Sequence, residues 1–569
     1  MNTARPLPLR SRGWLAPALL TATLLPACGS DDPPATEPAP DASPPGPDVP
    51  GDGDTAAPPV DEGTLAFGLL GSLSLPDGRG GFRFGAATAA AQIEDGLIHN
   101  DWYWWTLPTD QGGLGNGEFV GEAVRGFTLA VQDVGLMQEM NLDAYRFSID
   151  WSRIEPRRDE IDREAVAHYR RFLQALVDAG IRPMVTIHHF SSPAWVDDPR
   201  RPACAPGDAP TDDHLCGWGH PVGGPLIVEE LIEHTRLLAA EYGDLVDEWC
   251  TLNEPVNYLI ASYGVEVFPP GRNLILTSFD TLIDVVRNYL AAHAGMFAAL
   301  READVVDADG DGEATSIGLT LSVVDWAAAR GNAPSDLPED LAARDAVEYV
   351  YHYLVADALT QGVFDADLDG TPDEQHPTWA GTLDWLGVQY YFRAGVTAEV
   401  PLIPRVNAII CFGGFDFGSC LPPEDPTKFV PSMGYEFWEP GMGRILRDMG
   451  ARYPAMPLVV TEAGIAAENG TRRAENTVRM LEQIHGAMTD GVDVRGYYHW
   501  SLIDNFEWAE GFEPRFGLYR VDRTTWARTA TEGATALGTI AEARRITAAQ
   551  RALWGGLGPM SPEVDHGGE

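Results

Sequence analysis

The sequence predicts an α/β fold, a closed (β/α)8 TIM barrel with long loops after several strands. Three observations carry that prediction. Eight short runs rich in apolar and β-branched residues recur: Phe82–Ala86, Ala144–Ser148, Pro183–Ile187, Glu248–Leu252, Ser316–Leu321, Trp385–Gln389, Pro457–Thr461 and Val494–Trp500. Amphipathic stretches lie between them, among them Arg163–Asp178, Ile227–Tyr242, Thr281–Leu300, Leu341–Leu359, Ala474–Met488 and Ala534–Ala543. No Gly-rich phosphate loop follows the first run, so eight strand–helix repeats favour a barrel over a doubly wound sheet.

The chain of 569 residues begins with a targeting pattern. Arg5, Arg10 and Arg12 precede the apolar run from Trp14 to Leu25, which is too short to span a bilayer, so residues 1–27 read as a signal peptide. The run ends in Leu25-Pro-Ala-Cys28-Gly29, which resembles a bacterial lipobox and implies a lipidated Cys28; ordinary secretion is the alternative. Residues 28–64 read as a tether, because positions 31–60 hold ten prolines, seven acids and no basic residue, too little apolar surface to offset ordering entropy. Residues 65–550 form the expected catalytic domain and 551–569 a C-terminal tail. No later run is long and apolar enough to cross a membrane. The chain is thus expected to be exported and lipid-anchored at the bacterial cell envelope, on its periplasmic or surface face.

Acidic residues outnumber basic ones 84 to 39, a net charge of −45. Setting aside +3 on residues 1–30 and −7 on 31–60 leaves −41 on the rest, so the acidity belongs to the folded part. A nucleic-acid partner is excluded, since phosphate contacts need clustered Lys and Arg. Lys428 is the only lysine. Of six cysteines, Cys204/Cys216 and Cys411/Cys420 each bracket a short loop and read as local disulfides, whereas Cys250 sits in an apolar run as a buried free thiol.

A barrel places its site at the C-terminal ends of the strands. Those ends carry Gln92, Glu94, Arg146, His188, His189, Asn253, Glu254, Tyr390, Tyr391, Glu462 and Trp500. Carboxylates, amides and aromatic rings together describe a sugar pocket, where rings stack on sugar faces and polar groups bind hydroxyls.

The motifs sharpen this. Thr251-Leu-Asn-Glu-Pro255 and Val459-Val-Thr-Glu-Ala-Gly464 resemble the acid/base and nucleophile motifs of glycoside hydrolase family 1, the β-glucosidase family. Phe84 to Glu94, Tyr145 to Pro156, Trp500 to Trp508 and Arg515 to Asp522 resemble its other signatures in the family's order, covering residues 82 to 543. The resemblance implies a retaining β-glycosidase, foremost a β-glucosidase, acting on short β-linked glucosides or oligosaccharides without a required cofactor. It implies Glu254 as acid/base, Glu462 as nucleophile, and Arg146 and Tyr391 as the groups holding Glu462. It further implies Gln92, His189, Asn253, Trp500, Glu507 and Trp508 as sugar ligands. Such chemistry needs two carboxyl groups roughly 5–5.5 Å apart, one to attack and one to protonate the leaving oxygen. Two rivals share these motifs: a transglycosylase using the same intermediate, and an inactive glycan-binding lipoprotein.

The sequence departs from the family in three places. Ala463 stands where the family has Asn, Gln389 where it has Asn before the paired tyrosines, and Phe190 where it has Trp. The last bears on preference among gluco-, galacto- and fuco-configured sugars. Glu507 implies unphosphorylated sugars, because a carboxylate repels a 6-phosphate. Two acidic loops stand outside the resemblance, Asp307-Ala-Asp309-Gly-Asp311 and Asp365-Ala-Asp367-Leu-Asp369-Gly-Thr-Pro-Asp373. Alternating carboxylates with a Gly turn suit structural calcium; solvated acidic loops are the competing reading.

Overall fold

The computed structural model describes residues 62–411 and 416–563. The signal peptide, Cys28 and the tether up to residue 61 lie outside the described residues. Eight parallel strands close into a barrel: β1 Arg83–Ala87, β2 Ala144–Ser148, β3 Arg182–His188, β4 Glu248–Asn253, β5 Ser316–Arg330, β6 Trp385–Thr397, β7 Leu458–Ala463 and β8 Val494–Trp500. Each pairs with the next, and β8 returns to β1 with Gly496 opposite Arg83. All eight predicted runs are therefore barrel strands. β5 and β6 continue well past their predicted ends, still paired as far as Val396 and Ala328, and rise above the barrel mouth.

Around the barrel run α1 Gly126–Glu139, α2 Arg163–Asp178, α3 Gly223–Tyr242, α4 Phe279–Ala303, α5 Pro338–Glu348, α6 Leu354–Gln361, α7 Glu439–Arg452, α8 Gly470–Thr489 and α9 Glu532–Ala543. α2 begins where Asp162 accepts from the amides of Glu164 and Ala165 at 2.9 and 3.0 Å, satisfying donors that a helix start leaves free. The single stretch expected over 341–359 is split into α5 and α6 by a π turn at Tyr349–Tyr353. Sequence periodicity does not single out α1 and α7. Two glycines in the first turn of α7 dilute its apolar stripe, yet Gly441 is required there, since a Cβ would lie 2.1 Å from the Tyr390 hydroxyl.

The first and last described segments fasten the barrel. Residues 68–82 cross its lower mouth, where backbone carbonyls of Gly71, Leu75 and Gly68 accept from Arg83, Arg495 and Arg544 at 2.7, 2.5 and 2.8 Å. The boundary drawn at residue 550 falls inside the helix Ala548–Trp554. Beyond it the backbone lies along α8: Arg479 donates to Gly558 O and Pro559 O, and Arg472 to Ser561 O. The lone lysine serves the same segment, because buried Lys428 Nζ donates to Leu557 O at 2.9 Å and to Glu439 at 2.7 Å.

Cys204–Cys216 and Cys411–Cys420 are disulfides with Cα atoms 5.6 and 4.8 Å apart, and Cys250 is a buried free thiol. Among the described residues no helix is long and apolar enough to cross a membrane. In the first acidic loop Asp307 accepts from the amides of Gly310 and Gly312, Asp309 from Asp311 N, and Asp311 from Glu313 N. Asp309 is also paired with Arg182 at 2.7 Å. In the second, Asp365 accepts from Asp369 N and Gly370 N, Asp369 from Thr371 N, and Asp373 from Ala366 N, while Asp367 stands within reach of Asp369 N.

Candidate active site

Two β-bulges aim the principal side chains. Between β6 and β7 the register slips so that Gln389 stands opposite Glu462 rather than Thr461. Between β4 and β5 a second slip sets Asn253 opposite Thr320. Bulges re-aim side chains at barrel rims in this way, here turning Asn253 and Glu462 toward one cavity. Glu254 follows immediately, with φ 39° and ψ 63°, as the residue before the short helix Pro255–Leu259. A left-handed non-glycine residue costs about 1–3 kcal/mol, and the fold sustains it at the residue assigned the proton. Gly464, two residues past Glu462, has no substitute: a Cβ there would sit 1.9 Å from Trp500 O. This explains how the nucleophile motif keeps its Gly while Ala463 replaces the family's Asn.

The cavity measures about 200 Å³. Asn253, Glu254, His189, Tyr391, Glu462, Trp500, Glu507 and Trp508 line it. Arg146 and Gln92 are fully buried behind it, where Arg146 pairs with Glu462 and Gln92 Nε2 donates to Phe506 O at 2.9 Å and Glu507 at 3.3 Å. All ten residues expected at the site are thus brought together. Glu94, His188 and Tyr390 also stand near strand ends but turn elsewhere. Glu94 binds Arg153 and Tyr169, His188 binds Tyr289 and Ser192, and Tyr390 donates to Trp438 O.

The electrostatics divide the two carboxyl groups. Glu462 is gripped by Arg146 on one oxygen and accepts from the Tyr391 hydroxyl on the other at 2.7 Å. Burial pushes its pKa up while these two donors hold it down, so among the site's carboxyls it is the one equipped to carry charge. Glu254 has only neutral hydrogen-bond partners, Asn257 Nδ2 at 2.9 Å and the Ser322 side chain. Burial, reinforced by the charge of Glu462, pushes its carboxyl up to about 8. Glu507 is raised to about 8 for the same two reasons. Burial and the Arg146 charge hold His189 well below its usual range, so it meets the cavity as a neutral imidazole. Its ring neighbours those of Trp500 and Trp508 at centroid distances of 6.1 and 6.0 Å.

The cavity has a second zone that sequence reasoning did not find. Trp326 and Tyr351 lie 5.0 Å apart, and Phe392 stacks on Tyr435 at 4.5 Å with planes 15° apart. Met433, Ile410 and Cys411 complete an apolar wall beyond Glu254. Trp326 and Phe392 sit on the extended arms of β5 and β6, Tyr351 in the π turn between α5 and α6, and the rest on the loops and short strands that follow β6, with no motif to mark them. Ser322, Asn257 and the Gln389 amide are likewise unmarked by their local sequence.

A conjugate pair of this kind suits acid–base assisted displacement at an acetal carbon: one anion to attack, one acid to protonate, and rings and amides to hold a sugar. Comparison with known proteins agrees. The profile of glycosyl hydrolase family 1 matches residues 76–545. A beta-galactosidase of Pyrococcus woesei is 29% identical over 496 residues, covering 79% of this chain and 93% of that protein. Beta-glucosidase 17 of Arabidopsis thaliana is 28% identical over 489 residues, covering 78% and 86%. The solved beta-glycosidase from Pyrococcus horikoshii superposes with a TM-score of 0.68 at 27% identity, over 85% of this chain and 98% of its own. With the paired carboxyls in one barrel mouth, these likenesses establish that the chain belongs to glycosyl hydrolase family 1.

Proposed function

We propose that the protein is a retaining β-glycosidase, foremost a β-glucosidase, that removes terminal unphosphorylated sugars from short β-linked glucosides while tethered to the cell envelope through a lipidated Cys28. One observation carries the catalytic reading: Glu462 is held by Arg146 and Tyr391 while Glu254 has no basic partner. Glu462 attacks the anomeric carbon as Glu254 gives its proton to the glycosidic oxygen, which departs as the alcohol. An α-linked glycosyl ester remains on Glu462. Glu254, now a carboxylate, takes a proton from water as the water oxygen attacks the same carbon and the ester bond breaks. Two inversions leave the β-anomer and restore both carboxyls. No cofactor enters these steps.

The preference for unphosphorylated sugars rests on the cations. Among the described residues neither Lys nor Arg lines the cavity, and Lys428 is committed to Glu439 and Leu557 O. Glu507, raised to about 8, is mostly protonated at neutral pH, so lack of a counter-charge replaces the expected repulsion as the reason. Export rests on the Arg-led apolar run and the Leu25–Gly29 lipobox.

Turnover of an aryl β-glucoside with the β-anomer appearing first by NMR is the expected result, and the 6-phosphoglucoside should be refractory. First appearance of the α-anomer, or binding without turnover, would sink the reading. Product analysis with added alcohol acceptors separates hydrolysis from transglycosylation. Cys28→Ala should move the protein from the membrane fraction to the soluble one; an unchanged distribution would remove the anchor.

A further inference from the structure

The amide of Asn253 has one orientation open to it. Its oxygen accepts from Arg146 Nη2 at 2.6 Å, from Gln389 Nε2 at 2.9 Å and from Thr320 Oγ1 at 3.0 Å. A carbonyl oxygen offers two lone pairs, so three donors saturate it. Arg146 can only donate, hence a reversed amide would set an N–H against a guanidinium. The Asn253 nitrogen therefore turns the other way, toward the cavity that this residue lines. Gln389 is fully buried, and its own oxygen has no partner. Reversing the Gln389 amide would bring that oxygen against the Asn253 oxygen, so the orphaned atom is the less costly arrangement. The bulge that sets Gln389 opposite Glu462 delivers its amide to this point.

We propose that Gln389 is a positioning residue that locks Asn253 as a hydrogen-bond donor, so that the site demands an acceptor on the sugar's C2. The inference rests on the proposed glycosidase reading and on the family resemblance, which implies that Asn253, among the sugar ligands, is the one for the C2 hydroxyl. Arg146 joins the same oxygen to the nucleophile, whereas the Gln389 side chain donates to the Asn253 amide and not to the Glu462 carboxylate. Its effect should therefore follow the C2 group and not the displacement as a whole.

The test compares an aryl β-glucoside with the matching aryl 2-deoxy-β-glucoside. Gln389→Leu should lower kcat/KM on the glucoside by about 10- to 100-fold, the scale of a misplaced ligand, and leave the 2-deoxy substrate within about twofold. Asn253→Ala, which also leaves Arg146 Nη2 without its acceptor, should lose more on the glucoside than on the 2-deoxy substrate, and adding Gln389→Leu to it should cost nothing more on the glucoside. Thr320→Val, which removes the third donor, should give a smaller loss with the same split. Equal losses on both substrates, an unaffected glucoside, or losses that multiply in the double variant would overturn the inference. If Gln389→Leu does not fold, Gln389→Met keeps the length of the side chain, removes the donor, and must give the same split. If Asn253→Ala itself treats both substrates alike, the C2 assignment of Asn253 falls and this inference with it, while wild-type turnover still stands.

Discussion

Two buried arginine–glutamate pairs occupy opposite ends of one barrel. At the lower end Arg83 meets Glu248, with both side chains 1% exposed, and Arg182 and Asp309 extend the cluster. Each of the two arginines there has its own carboxylate partner, so the pairing is balanced. At the upper end Arg146 is, among the described residues, the one cation paired into the site, while Glu462, Glu254 and Glu507 share it. One charge cannot hold three buried carboxylates ionised, so the two without a basic partner, Glu254 and Glu507, are raised to about 8. The same pairing chemistry thus gives a structural clasp when balanced and an acid when one cation is left among several carboxyls.

The largest effects should come from breaking the unbalanced end. Glu462→Gly removes the nucleophile and should lower turnover by at least about 10⁴-fold, the scale on which removal of a nucleophile is felt. Azide then fills the vacated space and yields an α-glycosyl azide in one inverting step. Glu254→Ala should lower turnover by about 10²- to 10⁴-fold on poor leaving groups and much less on activated aryl glycosides, which depart without a proton. Azide should attack its α-linked intermediate and give the β-azide. Reversed anomers, or near-normal turnover of Glu462→Gly, would show the roles misassigned.

Breaking the balanced end should cost stability and leave the chemistry alone. Glu248→Ala strands the buried Arg83 and should destabilise by about 3–5 kcal/mol, read as a lower denaturant midpoint. Replacing Arg83 as well, as Arg83→Met with Glu248→Leu, should recover most of that loss. A Glu248→Ala protein as stable as the parent would show that the lower pair is no clasp.

The pH response should separate the ends more finely. Glu254 must be protonated to act, so kcat/KM should fall as pH rises through about 8, and Glu254→Ala should lose that limb on activated substrates. Glu507 carries a stability signature of its own. Its folded pKa of about 8 lies above the ordinary carboxyl value, so between roughly pH 4.5 and 8 the folded chain keeps a proton that the unfolded chain has released. Stability from this group therefore falls as pH rises across that window. Glu507→Gln, which cannot ionise, should gain more in Tm over the parent at pH 8 than at pH 5. A pH-independent difference would contradict the burial argument.

The barrel was legible because parallel strands covered on both faces read as apolar runs, and each catalytic group lies at the end of one. Glu254 and Glu462, 208 residues apart, could be paired only through the motifs that contain them. The arms of β5 and β6 were not legible beyond Leu321 and Gln389, because above the barrel mouth their burial depends on loops distant in sequence. For the same reason the Trp326–Tyr351 and Phe392–Tyr435 wall carries no local signal. Gln389 was visible only as a departure from Asn, since its function resides in a bulge and a hydrogen bond to a strand 136 residues away. Glu94, His188 and Tyr390 show the opposite error: a polar residue near a strand end points outward as readily as in.

The acidic loops give the smallest expected effect and extend the comparison to charge outside the barrel. Their pattern suits calcium, and Asp247, Asp307 and Asp309 do bring carboxylate oxygens within 4.8 Å of one another, as do Asp365, Asp367 and Asp369. Yet these carboxylates already have partners. Asp247 accepts from Ala308 N and Asp309 N, Asp307 and Asp365 each accept from two amides of their own loop, and Asp309 is paired with Arg182. Arg182 also approaches Glu248 at 3.8 Å, so the lower clasp already supplies a cation beside the first loop. A divalent ion there would have to displace or crowd that guanidinium. A bound ion stabilises only in proportion to its preference for the folded chain, so chelation should shift Tm by less than about 1 °C and added calcium should not raise it. A larger fall on chelation, restored by calcium, would return both loops to the metal reading. Repeating the melt with Arg182→Met would then sharpen the result: if calcium gains effect once the guanidinium is gone, arginine and metal compete for one place.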